Sequence, residues 1–115
     1  LSRVAARILL ASRLVYRGEW TTYGELGAAA SDGRNTARLA GRLASQHPAF
    51  ANAHRVLGSG GRLAGEEADA RRRRARLEAE GVAFYGRAAD QARRVGWVEL
   101  RGRLGEAAGN TCSPP

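Results

Sequence analysis

The chain has 115 residues, 43% of them hydrophobic, with 19 basic and 11 acidic side chains, a net charge of +8 and a pI near 11.3. That length allows one small domain with one modest core, and the single cysteine, Cys112, excludes an internal disulfide and a cysteine-built zinc site. No apolar run is long enough to span a membrane: Ile8-Leu9-Leu10-Ala11 is flanked by Arg7 and Arg13.

Every basic residue is arginine. A guanidinium forks onto phosphates and base edges with better-defined geometry than an ammonium, so the excess points to an anionic partner, nucleic acid first. Without a secretory pattern, a cytoplasmic monomer is expected, nucleoid-associated in a bacterium, with no cofactor, metal or membrane partner.

In chain order, residues 2–16 carry Val4, Ile8, Leu9, Ala11 and Val15 at helical spacing and predict an amphipathic helix. Arg17-Gly18-Glu19 ends it, and Trp20-Thr21 reads as a short extended piece. Thr22-Tyr23-Gly24-Glu25 is a capping-box pattern, so a helix should start at Tyr23 and run to about Ala30. Ser31-Asp32-Gly33 breaks it, Asn35 or a neighbour can cap a second helix over about 36–45, and Pro48 blocks its continuation. Two short helices joined this way form a helix-turn-helix pattern. In the second, Ala37, Ala40, Gly41 and Ala44 are small while Arg34, Arg38 and Arg42 recur every four residues. Either that small face approaches another surface closely between flanking arginines, or it packs on a neighbouring helix and the arginines sit in water.

Next comes Ala51-Asn52-Ala53-His54-Arg55-Val56-Leu57, a His-Arg pair inside an apolar run. Such side chains are seldom buried without partners, so they either tie down a turn or line a recognition pocket. Val56-Leu57 and Arg62-Leu63-Ala64 bracket Gly58-Ser59-Gly60-Gly61 and predict a small hairpin or wing. Residues 66–80 read as a charged helix stopped by Gly81, with Glu67 and Asp69 each four residues before an arginine. Its run Arg71-Arg72-Arg73-Arg74 is either a phosphate-binding face or a solvated one. Val82-Ala83-Phe84 and Trp97-Val98-Glu99-Leu100 are expected to fold back, and the loose composition after Arg103 divides the chain into a domain at 1–103 and a flexible tail at 104–115. The fold class expected is mainly α with a small β wing, a winged helix-turn-helix-like DNA-binding domain.

Four pieces in order, Trp20-Thr21-Thr22-Tyr23-Gly24-Glu25-Leu26, Asn35-Thr36-Ala37-Arg38-Leu39-Ala40-Gly41, His54-Arg55-Val56 and Leu77-Glu78-Ala79-Glu80-Gly81-Val82, resemble the DNA-binding domain of the O6-alkylguanine-DNA alkyltransferases. In active members the His-Arg-Val follows Pro-Cys, and the cysteine takes the alkyl group. Here Asn52-Ala53 stands in that place. A methyl group is no nucleophile, so the resemblance implies no catalytic residue. It points to the alkyltransferase-like group, which recognises O6-alkylguanine in duplex DNA and flags it for nucleotide excision repair.

The same resemblance implies roles for single positions. Tyr23 would press on the phosphate beside the target nucleotide, and Arg38 would fill the gap left by the extruded base. Ala37, Ala40 and Gly41 would let their helix lie in the minor groove, with Arg34 and Arg42 on flanking phosphates. The lesion pocket would comprise Ala53, His54, Arg55, Tyr23 and Glu80. In it His54 and Glu80 would hold one another, Arg55 would brace the turn, and Ala53 would leave room for a larger alkyl group. Two departures are visible: Asn52 replaces the proline, and Glu66-Glu67-Ala68-Asp69 stands where the family has a glycine-rich loop. The alternative reading is a winged helix-turn-helix binder without lesion specificity.

Overall fold

A computed structural model of the protein describes residues 1–63 and 65–112, without the side chains of 108–112. Five helices are present there, α1 (Arg3–Ser12), α2 (Tyr23–Ala30), α3 (Ala37–Gln46), α4 (Glu67–Ala79) and α5 (Trp97–Cys112). Between them lie four two-residue strands, β1 (Thr21–Thr22), β2 (Val56–Leu57), β3 (Phe84–Tyr85) and β4 (Ala88–Ala89). Among the described residues no helix is long and apolar enough to cross a membrane.

Helix α1 starts at Ser2, whose hydroxyl accepts from the Ala5 N–H, and buries Ala5, Ile8, Leu9 and Ala11 along one face. It stops at Ser12, four residues earlier than the apolar spacing suggests. There the Ser12 hydroxyl donates to the Leu9 carbonyl at 2.6 Å and accepts from the Ala51 N–H at 3.0 Å. A serine that bonds back to its own helix makes a natural end point, and here it also docks the segment leading to the His-Arg pair.

Thr22 caps α2 as its pattern predicts, accepting from the Glu25 N–H at 3.1 Å. The Glu25 carboxylate does not complete the box. It reaches across to the Trp97 N–H and to Arg94, both at 2.5 Å, and so anchors the first turn of α5. Between α2 and α3, Gly27 is obligatory: a Cβ there would lie 2.4 Å from Thr36 Oγ1. The turn is tied by the Ser31 hydroxyl, which donates to the Gly27 carbonyl at 2.7 Å. This is the helix-turn-helix expected from the residues.

The core is in two parts. Ile8, Val15, Leu26, Ala29, Ala40, Leu43, Val56, Leu100 and Leu104 gather α1, α2, α3 and α5. Trp20, Leu57, Leu77, Val82 and Ala89 gather α4 and the β3–β4 hairpin. Trp20 is fully buried at the centre of the second cluster, its indole N–H donating to the Asp90 carbonyl at 2.7 Å. Strands β1 and β2 pair in parallel, Thr21 opposite Val56 and Thr22 opposite Leu57, and join the two parts.

Two expectations are corrected. Gly58-Ser59-Gly60-Gly61 turns the chain back, the Gly58 N–H donating to the Arg62 carbonyl at 2.7 Å, but no two-stranded hairpin follows: Ser59–Gly61 forms a 3₁₀ turn and Arg62 bridges to Ala88. Gly61 is needed there, because at φ +85° an added Cβ would press on the Trp20 ring at 2.8 Å. The antiparallel hairpin is β3–β4, Phe84 opposite Ala89, and Ala64 lies outside the described residues. Trp97 and Leu100 do fold back onto the first part of the core, as the opening turn of a helix, α5, and Val82 and Phe84 pack in the second. That helix continues to Cys112 and buries Leu104, so 104–112 is helical rather than a tail. Residues 113–115 and the Cys112 side chain lie outside the described residues.

Candidate nucleic-acid interface

Tyr23, the first residue of α2, and Arg38, in the first turn of α3, line one hollow of about 520 Å³. Ala37 and Gly41 form its α3 wall, one helical turn apart. The opposite wall is Leu57, Gly58, Ser59 and Gly60, with Arg94 at the side. Packing does not require Gly41 to be small, since an added Cβ would meet nothing within 4 Å. Among the described residues no carboxylate lies within ion-pair distance of Arg34, Arg38 or Arg42. These charges are solvated and available to an anion.

Not every residue assigned to this surface faces it. Ala40 is fully buried in the same core cluster as Leu43, because one residue step turns it about 100° from Gly41, off the face that Ala37, Arg38 and Gly41 present. Arg34 lines a separate hollow of about 230 Å³ with Arg3 and Arg7, whose Nε donates to the Ala30 carbonyl at 3.0 Å. Arg42 is exposed on α3, outside the hollow. Arg94 and the Gly58-Ser59-Gly60 backbone carried no local signal for this site, since the fold brings them there from distant segments.

Ala53 and His54 line a second hollow, of about 310 Å³. Tyr23 does not reach it, so the expected pocket set divides between two places. The other lining residues are Asp69, Arg72, Arg73 and Arg76 of α4. Their spacing of i, i+3, i+4 and i+7 is one helix face. Arg71 and Arg74 turn the other way, toward Leu63 and Arg87. Four consecutive arginines cannot share a face of an α-helix, and here the run splits between two.

Behind Ala53 the His-Arg pair is fully used. Arg55 holds the Glu80 carboxylate with two parallel bonds of 2.9 Å, and His54 Nε2 meets the same carboxylate at 2.8 Å. The Gly18 N–H adds a fourth donor at 3.2 Å, and Arg55 also donates to the Val15 carbonyl at 3.0 Å. Burial alone would raise the Glu80 pKa, but hydrogen bonds from Arg55, then His54 and Gly18, outweigh it and hold it at about 2. His54 is pushed below the usual imidazole range, first by burial and also by the Arg76 charge, against the pull of Glu80. It is therefore neutral near pH 7. Since a carboxylate only accepts, its proton sits on Nε2.

Asn52 completes this floor. Its backbone is left-handed at φ +56°, a conformation asparagine tolerates and proline cannot adopt. Its side-chain amide donates to the carbonyls of Ser12 at 3.0 Å and Val15 at 3.3 Å. The turn that a proline would stiffen is fixed here by hydrogen bonds to the end of α1.

Residues 3–82 match the family model for the 6-O-methylguanine DNA methyltransferase, DNA-binding domain. The chain belongs to that family. Its structure is similar to that of S. pombe Atl1 in complex with damaged DNA containing O6-carboxymethylguanine, at 29% identity and a TM-score of 0.60 over 74% of this chain and 82% of that one. It is also similar to the O6-methylguanine methyltransferase of Mycobacterium tuberculosis, at 30% identity and a TM-score of 0.57 over 76% of this chain and 52% of that one. A variant of the same mycobacterial enzyme matches at 30% identity and a TM-score of 0.58, over 80% of this chain and 55% of that one. The chain thus spans about half the length of the transferase it matches. A search of curated protein sequences gives no match.

The family match ends at Val82, so β3, β4 and most of the Glu25–Arg94–Trp97 tie lie beyond it. What the match covers is the alkyltransferase DNA-binding fold itself: the helix-turn-helix, the His-Arg turn and the helix leading to Glu80.

Proposed function

We propose that this chain is a non-enzymatic reader of alkylated guanine in duplex DNA. In this reading α3 enters the minor groove, Tyr23 and Arg38 turn out the modified nucleotide, and the Ala53 hollow receives its O6-substituent. The bound lesion is then handed to nucleotide excision repair. The observation that carries it is the meeting of Tyr23, unpaired Arg38 and the small residues Ala37 and Gly41 at one hollow. Extruding a base costs a few kcal/mol, least for a badly paired one, and a guanidinium that can replace the lost stacking lowers that cost. Only Arg55 and Val56 separate His54 in one hollow from Leu57 in the other. Even fully extended, at roughly 3.3 Å per residue, those three steps span no more than about 10 Å, and the 3₁₀ turn at Ala53–Arg55 shortens them. With a methyl group at position 53 the site binds and does not accept an alkyl group.

The deciding experiment is binding to matched duplexes with and without O6-methylguanine at one stated salt concentration. A clear preference for the lesion is expected. Equal affinity would leave a helix-turn-helix DNA binder without lesion specificity.

A further inference from the structure

One face of α4 has no part in either hollow described so far. Glu67, Ala70, Arg71 and Arg74 line a third hollow, of about 450 Å³, which Leu63 and Arg87 complete. At 100° per residue this face points about 160° away from the α4 face beside Ala53. Three guanidinium groups meet one carboxylate in it. The acids that oppose them hold them loosely, Glu67 lying 3.4 Å from Arg71 and Glu78 lying 3.7 Å from Arg74, all four side chains well exposed. Exposed pairs of this kind contribute about 0–1 kcal/mol, so an incoming carboxylate can compete for either arginine. Arg87 has no carboxylate within ion-pair distance among the described residues.

The hairpin that carries Arg87 is braced. Arg74 donates to the Gly86 carbonyl at 3.0 Å, and its guanidinium lies 4.7 Å from the centre of the Phe84 ring. Next to that turn Tyr85 is 70% exposed. Tyrosine and arginine are the side chains that most often dominate protein–protein contacts, and residues already held in place lose less entropy on binding. The hairpin also lies beyond the residues that match the family model, so it is no part of the DNA-binding fold that the match defines. We propose that this face of α4 and the β3–β4 turn dock an acidic segment of a protein partner, with carboxylates on Arg87 and Arg71 and an aliphatic side chain between Leu63 and Ala70. The proposal rests on the lesion reading only for the side on which the duplex lies: DNA at α3 and Ala53 leaves the far side of α4 open, and both partners bind together.

The test is fluorescence anisotropy of a short labelled peptide of aspartate and glutamate interrupted by leucine, added to the whole chain in about 0.15 M salt, where charges more than about 8 Å apart are largely screened. This peptide should bind, and its asparagine–glutamine counterpart at least about tenfold more weakly. Serine in place of the leucines should weaken binding several-fold. Arg87→Glu should lower affinity for the acidic peptide by at least about tenfold without moving the unfolding midpoint, since the side chain is exposed. The same variant should bind duplex DNA within about twofold of the unaltered protein, and saturating duplex should not displace the peptide. Displacement by DNA, or an equal loss of duplex binding in Arg87→Glu, means that the peptide imitates a phosphate backbone and overturns the proposal. Absence of peptide binding, or equally tight binding of the neutral counterpart, overturns it as well. Equal affinity for normal and alkylated duplexes is a separate result, which removes the lesion reading and leaves the peptide measurements as they stand.

Discussion

The two hollows are built from the same kinds of residue used in opposite ways. Around Tyr23 the α3 guanidinium of Arg38 is unpaired and exposed, Arg94 alone being held by Glu25, and the backbone is pared down by Ala37 and Gly41. Behind Ala53 the charged groups are turned on one another: Glu80 accepts from three residues, and Asn52 and Arg55 cap the end of α1. One surface keeps its charge in reserve for a partner. The floor of the other spends it internally to hold a shape. A substitution should therefore lower affinity without touching stability in the first place, and do the reverse in the second.

The largest effect belongs to Glu80. Replacing it in Glu80→Gln leaves Arg55 and His54 without their anion in a site where the carboxylate is only 8% exposed. Breaking a buried pair of this kind destabilises by about 3 kcal/mol, a size consistent with a pKa held near 2 rather than at 4.5. Because the folded-state pKa is depressed, this contribution is fully present above pH 4.5 and is lost as pH falls through 2. Denaturant unfolding should thus show a gap between the two proteins that is constant near neutrality and closes in acid. A gap independent of pH would mean that the carboxylate is not the partner that matters. His54, also depressed, adds a loss of stability that begins as pH drops below its ordinary value of 6.5.

Arg38→Ala should do the opposite. The side chain is exposed and has no acidic partner among the described residues, so the unfolding midpoint should stay within about 0.5 kcal/mol of the unaltered protein. DNA binding should weaken by roughly 1–3 kcal/mol, more for the lesion duplex than for the normal one. A loss equal on both duplexes would demote Arg38 to a phosphate contact and blur the contrast between the two sites.

The contrast also explains what could be read before any coordinates. Local rules sufficed for the helix-turn-helix: Thr22 caps α2 and Pro48 closes off α3. Face assignment within α3 failed at Ala40, since an alanine looks the same whether it meets a groove or a core, and only its angle around the helix from Gly41 tells them apart. The α4 wall was legible in principle, because residues 69, 72, 73 and 76 fall on one face, yet a run of four arginines distracts from the period. The hairpin was misplaced because Gly58-Ser59-Gly60-Gly61 has turn composition. What those glycines accommodate is the Trp20 ring, packed against Gly61 from a distant segment. The destinations of Glu25 and Asn52 could not have been read at all: one reaches α5 and the other α1, contacts 72 and 40 residues away.

Gly41 gives the smallest effect and the sharpest form of the comparison. In the interior of a helix, glycine is less stable than alanine by roughly 0.5–1 kcal/mol. A close neighbour explains Gly27, where Thr36 leaves no room for a Cβ, but no atom lies within 4 Å of a Cβ added to Gly41, as at Gly102 and Gly105 on α5. The free protein would be more stable with alanine there, so its folding does not account for the glycine. Gly41→Ala should raise stability by about 0.5–1 kcal/mol in denaturant unfolding, while the added methyl stands in the hollow between Arg38 and the Gly58-Ser59-Gly60 turn. In the minor groove that methyl would hold α3 away from the duplex. Affinity for DNA should fall as stability rises, and Gly41→Leu should lower it further. If both variants bind DNA as well as the original, α3 does not approach the duplex by this face.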